Sequence, residues 1–168
     1  MIFPIAIAFF LLIVLQSSES ETMTQNNFDD LFKKYAAKYG LDWKMLKAIA
    51  IIESSLGRAS SVAYGLKNPS DTEKSKSTDG LSWGLMQVTL TTARDYDSNA
   101  TAQRLNNPEY SVDLASRHLK MLINLFKNDA NQIEKVVKSY NQGQGATMKN
   151  KPYADGYWIK YQNAYKTI

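Results

Sequence analysis

Carboxylates are the side chains that this chain has in number for acid–base chemistry. It has no cysteine and a single histidine, His118. Disulfides, thiol nucleophiles and Cys-ligated zinc are therefore excluded. A His-based metal site or a Ser-His-Asp triad has little to build on, and neither a metal nor another cofactor is expected. Among the acids, Glu53 is set apart by its surroundings. It follows Ala50-Ile51-Ile52 at the C-terminal end of a helical pattern. The negative end of a helix disfavours a carboxylate, and apolar neighbours make its charged form costly. Both effects raise the pKa, as a general acid near neutral pH requires. Position alone, however, reads more readily as a surface glutamate at a fraying helix end.

The elements that must hold Glu53 are mostly helical. Asn27 can cap a helix through Tyr39, with Phe28, Leu31, Phe32, Tyr35 and Ala36 on one face and Gly40 ending it. Asp42 caps a second helix that carries Trp43, Leu46, Ile49, Ala50 and Glu53 along one side, with Gly57 as a stop signal. Residues 58–83 are rich in Ser, Gly, Asn, Asp and Lys and read as a long loop containing a small β-hairpin. Helical pattern resumes at Thr89–Tyr96, is strong over Pro108–Phe126, and returns over Asn131–Tyr140 and Tyr153–Tyr165. The expected fold is mainly α with one small irregular or β-hairpin lobe.

Two further segments reverse the odds on Glu53. Ser82-Trp83-Gly84-Leu85-Met86-Gln87-Val88 follows the long loop, and Tyr140-Asn141-Gln142-Gly143 follows a helix. With Glu53-Ser54 they resemble the three motifs of the soluble lytic transglycosylase family, in the lysozyme-like superfamily. Those motifs are Glu-Ser at a helix end, Gly-Leu-Met-Gln, and Tyr-Asn-x-Gly, in this order. Tyr157 in Gly156-Tyr157-Trp158-Ile159 is similar to a further C-terminal tyrosine of the family, and the resemblance spans roughly residues 28–165.

The resemblance implies an α+β lysozyme-like fold and a set of roles. Glu53 would protonate the glycosidic oxygen between N-acetylmuramic acid and N-acetylglucosamine in peptidoglycan. It would then act as base toward the C6 hydroxyl of the muramoyl residue, giving a 1,6-anhydro product. Gln87 would hydrogen-bond sugar, or else satisfy a loop backbone. Met86 would line the cleft or support it. Tyr140 would bring its hydroxyl to Glu53, and Tyr157 would join the substrate site. Asn141 would bind sugar or cap its turn. The family's serine after Glu-Ser would fall at Ser77, Thr78 or Ser82, because residues 58–79 look like an insertion. Val88-Thr89-Leu90-Thr91 stands where the family usually continues toward a proline. Trp83 and Trp158 suit core packing better than sugar stacking, and His118 suits a structural role better than a catalytic one.

Two other functions compete. A muramidase of goose-type lysozyme character would need a second carboxylate to position water, roughly 6.5–9.5 Å from Glu53 in an inverting arrangement. Asp71, Asp79 and Asp95 are the candidates. A non-catalytic wall-binding module would keep the cleft without using it, against which the intact Glu53, Gln87 and Tyr140 argue.

The remaining features concern location. Ile2 to Leu15 is an apolar run broken only by Pro4. It is short of the about 20 residues of a membrane span and matches the apolar region of a secretory signal. Residues 1–20 are therefore expected to be a signal peptide or signal-anchor, and 21–168 the catalytic domain. The expected setting is the periplasm or the outer side of the cytoplasmic membrane, which is the host's if a phage encodes the chain for lysis. The formal charge of +4 suits an anionic partner. No basic run resembles a nucleic-acid-binding arm. The expected partners are glycan strands and, through the N-terminal segment, the membrane; the protein is expected to be a monomer.

Overall fold

The computed structural model describes residues 28–168. The expected signal segment 1–20 and the expected Asn27 cap lie outside the described residues. A helix, α1, runs over 28–39 and stops at Gly40, whose φ of 63° suits a residue without Cβ. Helix α2 spans Trp43–Ser54, and its Asp42 cap accepts the Lys44 N–H at 2.9 Å. It ends one turn before Gly57 because Ser55 and Leu56 turn left-handed, at φ 52° and 56°. Their N–H groups fold back on the Ile51 and Ala50 carbonyls.

The expected loop 58–83 is instead largely structured. It contains helix α3 (Ser60–Lys67), the single turn α4 (Thr72–Ser75) and strand β1 (Ser82–Trp83). The helix was hidden by its composition, since Ser60, Ser61 and Gly65 are weak helix formers. Tertiary packing decides the outcome. Val62 is fully buried, and a Cβ on Gly65 would lie 2.6 Å from Asn106 Oδ1 and 2.7 Å from Ser75 Cβ. Asn106 also donates to the Pro69 carbonyl and to Ser75 Oγ, so it ties the lobe to the rest of the domain.

Strand β1 pairs antiparallel with β2 (Val88–Thr89), Ser82 opposite Thr89 and Trp83 opposite Val88. The hairpin therefore lies partly beyond the segment where it was expected, and its turn is Gly84–Gln87. Helix α5 covers Leu90–Arg94, shorter than predicted, with Thr89 as its cap. Helix α6 (Ala102–Leu105) was not foreseen. Helix α7 runs over Pro108–Leu125 from an Asn107 cap, as its pattern predicts. Helix α8 (Gln132–Gln142) runs past Tyr140, and the short α9 (Gln144–Met148) follows Gly143. Helix α10 covers Asp155–Lys166.

The architecture is mainly helical and lysozyme-like, with one two-stranded sheet among the described residues. Phe32, Leu46, Ile49, Leu85, Leu114, Leu119, Leu122 and Val136 form the fully buried centre. Each contributes about 1.5–3 kcal/mol of burial. Helix α10 runs antiparallel along α2 and is fastened at both ends. Tyr165 donates to the Asp42 carboxylate at 2.6 Å, and Tyr157 donates to Glu53 at 2.6 Å. A second seam joins α1 to α7. Lys38 and Tyr39 both donate to Asp113, which also pairs with Arg117. These contacts hold the Asp113 carboxyl below the usual carboxylate range, against the burial that would raise it.

Candidate active site

Glu53 lies in the last turn of α2, pointed at α10. Its Oε1 accepts the Tyr157 hydroxyl at 2.6 Å, and Tyr157 is itself buried. Burial raises the Glu53 carboxyl to about 7, the Tyr157 hydrogen bond opposes the rise, and the charge of Asp79 adds to it. Both forms of the carboxyl are therefore populated near neutral pH. A group in that state can give a proton and take one back.

The next residue fixes the geometry. Ser54 is buried, donates to the Leu85 carbonyl at 2.7 Å and accepts the Gly57 N–H at 3.0 Å. It thus clamps the end of α2 to the Gly84–Gln87 turn. The turn is held from other sides as well. Met86 N–H donates to Ser111 on α7 at 3.1 Å, and the Met86 carbonyl accepts the Tyr140 hydroxyl from α8 at 2.7 Å. Gly84 has φ 77°, and a Cβ there would meet the Leu105 carbonyl oxygen at 1.9 Å. Gln87 adopts φ 48°, a left-handed backbone rare for a residue with a side chain, and its Nε2 donates to the Gly84 carbonyl at 2.9 Å. The motif segments, far apart in sequence, are one hydrogen-bonded unit.

The predicted site residues fall into place unevenly. Glu53 and Tyr157 are in direct contact. Tyr140 differs from expectation. Its hydroxyl goes to the Met86 carbonyl rather than to Glu53, because the turn places an unpaired carbonyl within its reach. Burial pushes its own pKa well up, and it still lies close enough for the Glu53 charge to add to that rise. Of the two roles expected of Met86, lining the cleft or supporting it, its full burial fits support of the turn from the core. Gln87 does satisfy a loop carbonyl, and it also borders a pocket. Asn141 is exposed on α8 and caps nothing, since α8 continues to Gln142 and Gly143 closes it.

Ser82 is in strand β1, where its N–H donates to Ser77 Oγ at 2.9 Å. Trp83 donates its indole N–H to the Thr72 carbonyl, and Trp158 stacks on Tyr161. Both are in structural use. Two contributors were given no role of their own in the sequence. Ser54 was visible only as half of the Glu-Ser motif, and Ser111 carries no local signal at all.

Of the three candidate second carboxylates, only Asp79 acts on Glu53. It sits in the turn before β1, where Ser77 Oγ and the Leu81 N–H donate to it and hold its pKa below the usual range. Asp71 is engaged by Tyr64 and Lys74. The charge of Asp95 is felt by Tyr96 and His118 instead. No cluster of His, Asp and Glu suited to a metal occurs among the described residues.

A helical lysozyme-like domain with a raised-pKa glutamate at a helix end is the arrangement of a glycan-cleaving enzyme whose acid is a carboxyl group. The profile of the transglycosylase SLT domain matches residues 30–163. The chain belongs to that family, and is accordingly a peptidoglycan lytic transglycosylase. Searches of curated proteins and of solved structures found no match.

Proposed function

We propose that the protein cleaves the β-1,4 bond between N-acetylmuramic acid and N-acetylglucosamine with Glu53 as its acid and base, leaving a 1,6-anhydromuramoyl end. The observation that carries this reading is the Glu53 carboxyl, raised by burial to about 7 and held by Tyr157. Protonated Glu53 gives its proton to the glycosidic oxygen as the bond to the muramoyl C1 breaks, and the N-acetylglucosamine end leaves with a free 4-hydroxyl. The substrate's acetamido group can assist at C1. The Glu53 carboxylate then takes the proton of the muramoyl C6 hydroxyl as its oxygen bonds to C1. The acid is restored and no water is consumed. Tyr157 keeps the carboxyl aimed through both steps, and the Gly84–Gln87 turn forms the wall against which the sugar lies.

Asp79 favours a second reading. An ionised carboxylate whose charge reaches Glu53 suits activation of a water, which would make the reaction hydrolysis. Mass spectrometry of fragments from purified cell walls separates the two. Anhydro ends, lighter by one water, support the transglycosylase, and Asp79→Asn should leave them unchanged. Reducing ends that vanish with Asp79→Asn would establish the hydrolase.

We further propose that residues 1–20 direct export, and that the chain acts as a monomer on walls outside the cytoplasmic membrane, in phage-induced lysis of a host. A lysis assay on intact and chloroform-permeabilised cells tests this, with and without residues 1–20. The export reading requires lysis of intact cells by the full chain alone.

A further inference from the structure

Tyr157 takes part in the site through its bond to Glu53, and it stands in the first turn of α10. Where that turn lies is therefore part of the chemistry. The far end of α10 is held by Tyr165 on Asp42. The near end follows a stretch with little of its own to hold it. Residues 148–153 are all exposed, and Asn150 turns left-handed at φ 50°. The Asn150 and Lys151 N–H groups donate to the Thr147 and Ala146 carbonyls, which shapes the stretch without attaching it to α8.

Gln142 makes that attachment. It is the last residue of α8 and fills the variable position of the Tyr-Asn-x-Gly motif. Both ends of its amide are used. Nε2 donates to Thr147 Oγ1 at 3.0 Å and to the Lys151 carbonyl at 3.2 Å, and Oε1 accepts the Ala154 N–H at 2.8 Å. Two donor hydrogens and one acceptor thus serve three residues of the 147–154 segment. The bond to Ala154 bears most directly on α10. Ala154 is buried, caps that helix and precedes Tyr157 by three residues. The N–H groups at a helix start have no partner within the helix, and Gln142 supplies one from outside. A second tether joins Lys138 to Asp155 at 2.6 Å, but the Asp155 side chain is 56% exposed, and ion pairs open to water hold weakly.

We propose that Gln142 is a positioning residue for Tyr157: by fastening the 147–154 segment to α8 it sets where α10 begins, and so whether the Tyr157 hydroxyl reaches Glu53. The inference rests on the proposed function and deepens it. The effect passes through Ala154 and the first turn of α10. A hydrogen bond of 2.6 Å is lost once its partners part by about 1 Å, so a small displacement of that turn is enough. Losing the bond removes the contact that favours the Glu53 carboxylate, and the carboxyl then keeps its proton to higher pH.

The test reads the Glu53 titration directly, by carbon-13 NMR of its carboxyl in the full chain, beside cell-wall cleavage over the same pH range. Gln142→Met keeps the length of the side chain and removes all three hydrogen bonds. Gln142→Asn keeps the amide but stops one methylene short, and it carries the test if Gln142→Met does not fold. Each should raise the Glu53 pKa from about 7 by roughly one unit, in the direction expected of Tyr157→Phe, and shift the alkaline limb of cleavage with it. In a Tyr157→Phe background neither should move the titration further, because the bond that transmits the effect is already gone. A folded variant with an unmoved Glu53 titration would overturn the inference even if its cleavage slowed, since a merely structural contact predicts that pattern. A shift that persists in the Tyr157→Phe background would overturn it as well. The titration needs no substrate. A wild-type protein that cleaves no wall therefore refutes the proposed function, while the NMR result still decides the role of Gln142.

Discussion

Tyr157→Phe should move the alkaline limb of the pH–activity profile upward. The substitution removes one oxygen and keeps a buried ring in place. The lost hydroxyl donates to Glu53 at 2.6 Å and favours the charged carboxylate. A hydrogen bond to a charged group is worth about 1.5–3 kcal/mol, and one pKa unit is about 1.4 kcal/mol. Glu53 begins at about 7, so its loss of this partner should raise the pKa by roughly 1–2 units. The proton-donating form then persists to higher pH. The assay is kcat/KM for release of soluble fragments across pH 5 to 10, which reports the free enzyme's ionisations. The maximum rate should fall, because the carboxyl loses its orienting contact, while the limb shifts to higher pH. A limb that stays in place, or moves to lower pH, would refute the claim that this bond tunes Glu53. A purely structural Tyr157 predicts no shift at all.

Other consequences concern stability. Glu53 has a folded-state pKa raised from 4.5 to about 7. The folded state therefore holds the proton more tightly than the unfolded chain, and stability falls as pH rises through that window. Glu53→Gln should be more stable than wild type above pH 7, by up to about 3 kcal/mol, with the advantage fading toward pH 4.5; urea unfolding at several pH values checks this. Gly84→Ala should cost more than about 2 kcal/mol in the same assay, since its Cβ would collide with the Leu105 carbonyl oxygen at a left-handed position. Ser54→Ala should cost about 2 kcal/mol by stranding the buried Gly57 N–H and the Leu85 carbonyl, and should lower activity further by loosening the clamp beside Glu53.

How legible these features were depends on how far their causes lie apart along the chain. Helices α1, α2 and α7 are written in local periodicity, with a cap at Asp42 and a proline start at Pro108, and they appear close to where that pattern places them. Helix α3 is different. Its Ser-rich sequence does not favour a helix, and the space that Gly65 leaves is filled by Asn106, far along the chain. The site shows the same divide. Glu53 stood out by its motif and its apolar neighbours. That Tyr157, and not Tyr140, would hold it depends on how α10 lies along α2, which Tyr165 and Asp42 fix at the other end. Asp79 was one of three candidates by composition. Only the fold of the turn before β1 distinguishes it from Asp71, which is tied to Tyr64.

Glu53→Gln on purified cell walls tests the central claim most directly. The amide can still accept the Tyr157 hydrogen bond but cannot exchange a proton. The turnover rate should fall on the order of 10³-fold, with binding to the walls retained. A variant that folds and keeps its rate within about tenfold of wild type would contradict the assignment of Glu53 as acid and base.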